Sequence, residues 1–310
     1  MSRRFHGKYV AVLMGGLSAE REISERSGRA VATALRGLGY RVTVVRVGRD
    51  LAARLRRLAP DVAFNALHGR YGEDGCVQGM LEVMGIPYTG AGVLPSALAM
   101  NKAAAKALWR SRHLPTPPWM LVTGGAPRLG DLPAPMPLVV KPNNEGSSVG
   151  VSIVRRHAEL AGAIRTAHRF DNEVLIEQYV PGREVTVGII EGRAVGTMEV
   201  VAKGEFHSYA VKYTAGMEEF HVPARLSTAT TRRVLALAEA AHLELGCGPY
   251  SRVDLRVDGR RAYLIELNSL PGLTGLSWLP RIAAYAGITF PALCERILDL
   301  ASLGVRETRR

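Results

Sequence analysis

Residues 252–277 read Arg-Val-Asp-Leu-Arg-Val-Asp-Gly-Arg-Arg-Ala-Tyr-Leu-Ile-Glu-Leu-Asn-Ser-Leu-Pro-Gly-Leu-Thr-Gly-Leu-Ser. Two strand-like runs, 252–257 and 262–268, flank the turn signal Asp258-Gly259, so a β-hairpin is expected here. Side chains alternate along a strand, which puts Arg252 and Asp254 on one face of the first run, and Glu266 and Asn268 on one face of the second. Register decides whether those faces coincide. A loop of only Asp258 and Gly259 sets Asp254 opposite Tyr263 and away from Glu266, whereas an odd-length loop or a bulge brings Asp254, Glu266 and Asn268 together. The second arrangement is the expected one, because it gathers two carboxylates, an amide oxygen and a guanidinium. Such an all-oxygen donor set suits Mg²⁺, which takes few protein ligands and completes its shell with water or phosphate oxygens. A solvated hairpin face is the plain alternative, since charged residues are mostly exposed, but here the acids interrupt otherwise apolar strands.

Around this hairpin stand 310 residues, enough for a large core and two or three domains. Forty Lys and Arg against 28 Asp and Glu give a net charge of +12, which suits nucleic acid, an anionic surface or polyanionic small substrates. The arginines are scattered in pairs and aromatics make up only 6%, so no stacking platform for bases is evident and no nucleic-acid partner is expected. Cys76, Cys247 and Cys294 are an odd, widely spaced set, which fits reduced thiols in the cytoplasm. Arg3-Arg4 ahead of the apolar run 9–14 faintly imitates a signal peptide, but that run is short and gives way to Gly15-Gly16 and Glu20-Arg21-Glu22. No stretch approaches the roughly 20 apolar residues of a membrane span.

The run 9–14 reads as a buried parallel strand, followed by a glycine turn, an amphipathic helix over 19–38 and a second strand at 40–47: a βαβ unit with an anion-friendly corner at the helix start. It matches neither the dinucleotide fingerprint nor a Walker A loop. Glu20, taken alone, is a surface acid complementing the helix dipole. A second βα unit runs from 62–67 into the polar loop 68–75, at the strand end where open α/β sheets bind ligands, with a helix near 77–84 and a short strand at 87–89. A helix over 96–113 carries Asn101-Lys102, and 123–137 reads as loop. Strand 138–141 ends in Lys141 and leads into Pro-Asn-Asn-Glu-Gly-Ser-Ser-Val-Gly (142–150), built either to fold over phosphates or to make a flexible hairpin turn. Beyond a helix at 158–170, strand 174–180 is either a cleft-lining hinge or an ordinary edge. A hairpin at 184–200 and an irregular segment at 204–222, of the kind that forms lids or binding loops, come next. Helices at 228–245 and 290–303 complete the pattern.

Four of these stretches together resemble the D-alanine–D-alanine ligases of the ATP-grasp superfamily: Gly15-Gly16 with residues 18–22, the loop 67–75, Lys141-Pro142 with 145–150, and Glu266-Leu267-Asn268 with 271–274. Agreement runs in order from about residue 9 to 303. The resemblance implies three α/β domains, at 1–96, 97–183 and 184–310, with nucleotide held between the central and C-terminal ones. It implies that one D-alanine attacks the ATP γ-phosphate to give an acyl phosphate, which the amine of a second D-alanine resolves. By the same resemblance Lys102 and Lys141 meet the phosphates with Ser147, Ser148 and Lys212, Glu177, Gln178 and Val180 line the adenine hinge, and Glu184 binds the ribose. Asp254, Glu266 and Asn268 match ligands of two Mg²⁺ ions, with Mn²⁺ as a substitute. Arg252 and the backbone N–H of Gly272 match the oxyanion donors, and Glu20 the acceptor of the first ammonium, linked to Ser147 and Tyr213. Lys212 and Ser277 match groups near the second substrate and the transferred phosphate, His68 lies near the substrates, and 204–222 resembles the closing loop. A homodimer is implied as well. Asn101, His207 and Trp278 depart from the common pattern, and Trp278 bears on substrate breadth. The alternatives are a ligase taking D-lactate, against which Tyr213 argues, and a non-catalytic nucleotide- or nucleic-acid-binding protein, against which the metal set argues.

Overall fold

In the computed structural model, which describes residues 3–202 and 218–304, three sheets follow one another along the chain. β1 (Tyr9–Gly15), α1 (Arg21–Gly37), β2 (Arg41–Val47), α2 (Leu51–Leu58) and β3 (Val62–Asn65) build a parallel sheet of order β2-β1-β3. The expected βαβ unit is there because β1 is apolar enough to be buried on both faces, while α1 buries Ser24, Ser27, Val31 and Leu35 at helical spacing. α2 was not expected; its stripe of Leu51 and Leu55 is only two residues wide among five arginine or alanine neighbours. α3 (Cys76–Val83) follows the polar loop, and the expected strand at 87–89 is reduced to Tyr88, which bridges Ala63 on one side and Ser302 on the other.

The single helix expected over 96–113 is two, α4 (Val93–Met100) and α5 (Lys102–Ser111). Asn101 breaks it, since its side chain accepts from Ala104 N at 2.9 Å and caps α5, a role in which asparagine outcompetes helix continuation. β4 (Trp119–Val122), β5 (Leu138–Pro142), β6 (Ser152–Val154) and β7 (Val174–Gln178) form an antiparallel sheet of order β4-β7-β5-β6, covered by α6 (His157–Ala167). β8 (Arg183–Ile190), β9 (Arg193–Ala202), β10 (Glu218–His221), β11 (Tyr250–Asp258) and β12 (Arg261–Asn268) form a second, of order β10-β9-β8-β11-β12, with α7 (Thr228–Leu245) packed on it. The segment expected at 204–222 thus contains β10, and its residues 203–217, which include His207, Lys212 and Tyr213, lie outside the described residues.

The end of the chain turns back. The helix expected at 290–303 is α9 (Phe290–Asp299), preceded by α8 (Trp278–Tyr285), which was not expected, and Leu279, Ala283, Leu293 and Ile297 share one core with Val12, Val31 and Leu35. Trp109 of α5 is fully buried against α7, its Nε1 donating to Ala241 O at 3.2 Å.

Between the two antiparallel sheets the chain passes through Gly182 at φ +95°, where an added Cβ would stand 2.2 Å from Val257 O. Left-handed backbone costs an L-residue roughly 1–2 kcal/mol before any clash. Gly182→Ala is therefore expected to lower stability by about 2–3 kcal/mol, read as a shifted urea midpoint at unchanged slope; a midpoint within error of the parent would show that this crossing can relax.

Candidate active site

A cavity of about 590 Å³ opens between the sheet of β5, β6 and β7 and the sheet of β8, β9, β11 and β12. The β11–β12 hairpin supplies one wall, and its register is the one the residue types favoured. The turn lies at Gly259-Arg260, with Asp258 opposite Arg261, which alone leaves Asp254 facing away from Glu266. A bulge between Asp254 and Leu255 changes this: Leu255 pairs with Leu264, Asp254 pairs with Glu266, and Ile265 is the extra residue. Arg252 then stands opposite Asn268, so all four polar side chains share a face.

Each acid on that face already has a cation beside it. Asp254 accepts from Arg252 Nε at 2.9 Å and Nη2 at 2.8 Å, and Thr186 Oγ1 donates to its Oδ1 at 2.6 Å. Burial alone would disfavour the Arg252 charge, but Asp254, and to a lesser extent Glu266, hold the guanidinium well above its ordinary pKa. Glu266 lies 3.7 Å from Lys102 Nζ. Asn268 Oδ1 accepts from Leu270 N at 3.1 Å. Among the described residues no group of three or more His, Cys, Asp or Glu is gathered for a metal. Two carboxylates and an amide oxygen nevertheless fit a hard divalent cation that brings other ligands with it.

The opposite wall carries the lysines. Lys102 opens α5 and donates to Glu145 O at 2.5 Å, at the start of the small-residue loop. Lys141 near the end of β5 sits 2.5 Å from Glu177, whose other oxygen is 2.7 Å from Lys106. Glu177 was expected at a hinge; it lines the cavity, yet it is 2% exposed and works as the acid of a buried triad. Burial would raise its pKa, but Lys106 and Lys141 outweigh that and bring it down to about 2. Burial in turn lowers Lys106 to about 8 in spite of Glu177. Lys106 was missed in the sequence, although the i,i+4 spacing Lys102–Lys106 on one helix face was a usable signal.

The loop between β5 and β6 holds Ser147 at φ +53° and Ser148 at φ +58°, two successive non-glycine residues in left-handed backbone. Such strain persists only where surrounding contacts impose it. One such contact is the Ser147 hydroxyl, which donates to Glu20 Oε1. The Glu20 carboxylate lies so close to Gly146 and Gly69 that a Cβ at either would meet it at 3.1 and 2.7 Å. Ser148 and Gly146 line the cavity, as do Gln178, Val180 and Glu184, and Arg256 Nη1 sits 3.6 Å from Glu184.

A buried relay continues away from Glu20. His68 Nε2 lies 3.0 Å from Ser27 Oγ, which accepts from Leu273 N at 3.2 Å, and His68 Nδ1 lies 3.3 Å from Glu73. Burial raises the Glu73 pKa, and its hydrogen bond to His68 opposes this only in part. His68 thereby ties the loop after β3, helix α1 and the loop after β12 together. In that last loop Gly272 passes so close to Ser277 that a Cβ would stand 2.9 Å from its Oγ, which itself lies 2.8 Å from Thr274 Oγ1. The structure thus brings Glu20 to Ser147, and Arg252 to Asp254 and Glu266, while Lys212 and Tyr213 fall outside the described residues.

Comparison with known proteins gives a consistent result. The family model described as D-ala D-ala ligase C-terminus matches residues 108–299, and that described as D-ala D-ala ligase N-terminus matches 50–91. A D-alanine–D-alanine ligase of Geotalea uraniireducens (strain Rf4) is 52% identical over 302 residues, covering 97% of each chain. One from Anaeromyxobacter sp. (strain Fw109-5) is 52% identical over 308 residues, covering 97% of this chain and 99% of its own. The crystal structure of D-alanine–D-alanine ligase from Bacillus anthracis complexed with ATP superposes with a TM-score of 0.84 at 33% identity, covering 94% of this chain and 97% of that one.

Proposed function

The chain belongs to the D-alanine–D-alanine ligase family, and from that premise we propose that its cleft condenses two D-alanines through a D-alanyl phosphate, with ATP as the phosphoryl donor. It is an ATP-dependent ligase of the ATP-grasp fold, and the dipeptide serves peptidoglycan synthesis. In our reading residues 97–183 and 184–310 form the two jaws on the nucleotide, and 1–96 brings Glu20 and His68 to the amino acids. The observation that carries the site assignment is the bulge that turns Asp254 toward Glu266 within reach of Lys102.

Gln178 and Val180 face the adenine and Glu184 the ribose hydroxyls. Glu177, which lines the same cavity, also acts on the nucleotide through its hold on Lys141. Lys102 and Lys141 meet the phosphates, and the backbone around Ser147 and Ser148 covers them. Asp254, Glu266 and Asn268 would hold Mg²⁺, two ions with Mn²⁺ able to replace them, and the metal supplies neutralisation of charge on the transferring phosphate. Glu20 receives the ammonium of the first D-alanine and orients its carboxylate toward the γ-phosphate, with Ser147 and Tyr213 in the same chain of hydrogen bonds. Arg252 and the Gly272 N–H stabilise the oxyanion formed when the second amine attacks. Ser277 and Lys212 hold the second carboxylate and the departing phosphate. His68 orients the loops around the first substrate through Ser27 and Glu73. A cytoplasmic homodimer completes the proposal; among the described residues no helix is long and apolar enough to cross a membrane.

Incubation with ATP, Mg²⁺ and D-alanine is expected to release one phosphate per dipeptide formed. No phosphate release with any D-amino acid would overturn the reading. Competition between D-alanine and D-lactate across pH measures how strictly the second site requires an amine.

A further inference from the structure

Trp278 opens α8 immediately after Ser277 and is nearly buried among Met198, Val200 and Ile282. Its indole does more than fill that space. The Arg252 guanidinium carbon stands 4.7 Å from the ring centroid, and Phe220 of β10 meets the indole edge-on at 6.4 Å and 61°. Arg281, one turn along α8 from Trp278, sits 4.5 Å over the Phe220 ring. A ladder of charged groups and π-faces therefore runs from Asp254 through Arg252, Trp278 and Phe220 to Arg281.

Asp254 occupies both ends of that logic. It grips the Arg252 fork with both carboxylate oxygens and also accepts from Thr186, yet on the reading above it is a donor to a divalent cation. Coordination draws on the same lone pairs, so the guanidinium loses part of its bidentate pair at the moment a second positive charge arrives nearby. A long arginine side chain without that pair would swing or be pushed outward by like-charge repulsion. The Trp278 face is a contact that does not depend on what Asp254 is doing, and a nearly buried cation–π pair is the stronger kind.

We propose that Trp278, backed by Phe220, is a positioning residue for Arg252, holding the guanidinium at the reacting centre when Asp254 turns to a divalent cation. This rests on the ligase reading for the role of Arg252, but the exchange of partners itself does not require turnover. Trp278 thereby acts on the chemical step and not on nucleotide affinity.

The test has a kinetic and a spectroscopic arm. Trp278→Met preserves much of the volume and removes the ring face; Trp278→Phe keeps a ring. The Met variant is expected to lose about tenfold in kcat with KM for ATP within about twofold, and the Phe variant to keep at least about half the parent kcat. In the second arm the whole protein is labelled with 5-fluorotryptophan, which gives lines for Trp109, Trp119 and Trp278, the last assigned by its absence from Trp278→Phe. That line is expected to move when Mg²⁺ is added to protein saturated with the non-hydrolysable analogue AMPPNP. A Met variant within twofold of the parent kcat, a Phe variant as impaired as the Met variant, or an unmoved Trp278 line would each overturn the proposal. If Trp278→Met does not fold, the Phe variant and the fluorine line still decide. An unmodified protein that binds AMPPNP but releases no phosphate with D-alanine would sink the ligase reading instead, with the fluorine result standing on its own.

Discussion

Glu266→Gln is expected to lower kcat about a thousandfold, at the upper end of what loss of a single electrostatic contact to the transition state costs, while shifting stability by no more than about 0.5 kcal/mol. The Glu266 side chain is one-third exposed, sits across the bulge from Asp254 and is 3.7 Å from Lys102. Glutamine keeps its length and shape and removes only the charge. Folding barely registers the change because, among the described residues, the carboxylate pairs only with Lys102, which also donates to Glu145 O. Turnover registers it fully, since the proposed cation and the phosphates both depend on that charge. Phosphate release and a urea melt on the same preparation separate the two effects. Activity within tenfold of the parent at saturating Mg²⁺ would mean that the metal lies elsewhere.

Lys106→Met is expected to behave in the opposite way, with a stability loss of about 3–5 kcal/mol, the cost of stripping one partner from a buried ion pair. Lys106 is fully buried, donates to Thr116 Oγ1 at 2.8 Å, and shares Glu177 with Lys141. Without it one lysine must neutralise Glu177 alone, which leaves that lysine with no net charge to offer a phosphate. Adding Glu177→Gln to the Lys106→Met background should recover part of the loss, and the double-mutant cycle isolates the coupling. The denaturation midpoints of the three variants decide it; a Lys106→Met protein as stable as the parent would show that Glu177 finds another partner.

Much of this was legible in the string of residues, for reasons that can be named. β1 and α1 were readable because a two-face-buried strand and a one-face-buried helix have different periods, with glycines between them. The pairing of Asp254 with Glu266 was readable only as a preference, because a bulge at Ile265 leaves no mark in composition. The break at Asn101 was hidden by strong helix formers on both sides, and the capping bond that decides it is a single contact. Lys106 was missed, since burial of a charge is set by which strands come to lie beside it. Glu177 looked like a hinge residue for the same reason. The roles of Lys212 and Tyr213 rest on resemblance alone.

The packing of α9 against α1, with Ser302 bridging to Tyr88, has a consequence for biosynthesis. Domains generally fold as they leave the ribosome, amino end first. Here the earliest sheet lacks part of its core until α9 has been translated. The nascent chain must therefore carry an unfinished, apolar first unit while both antiparallel sheets are being made, and emergence of α9 is what allows that unit to close.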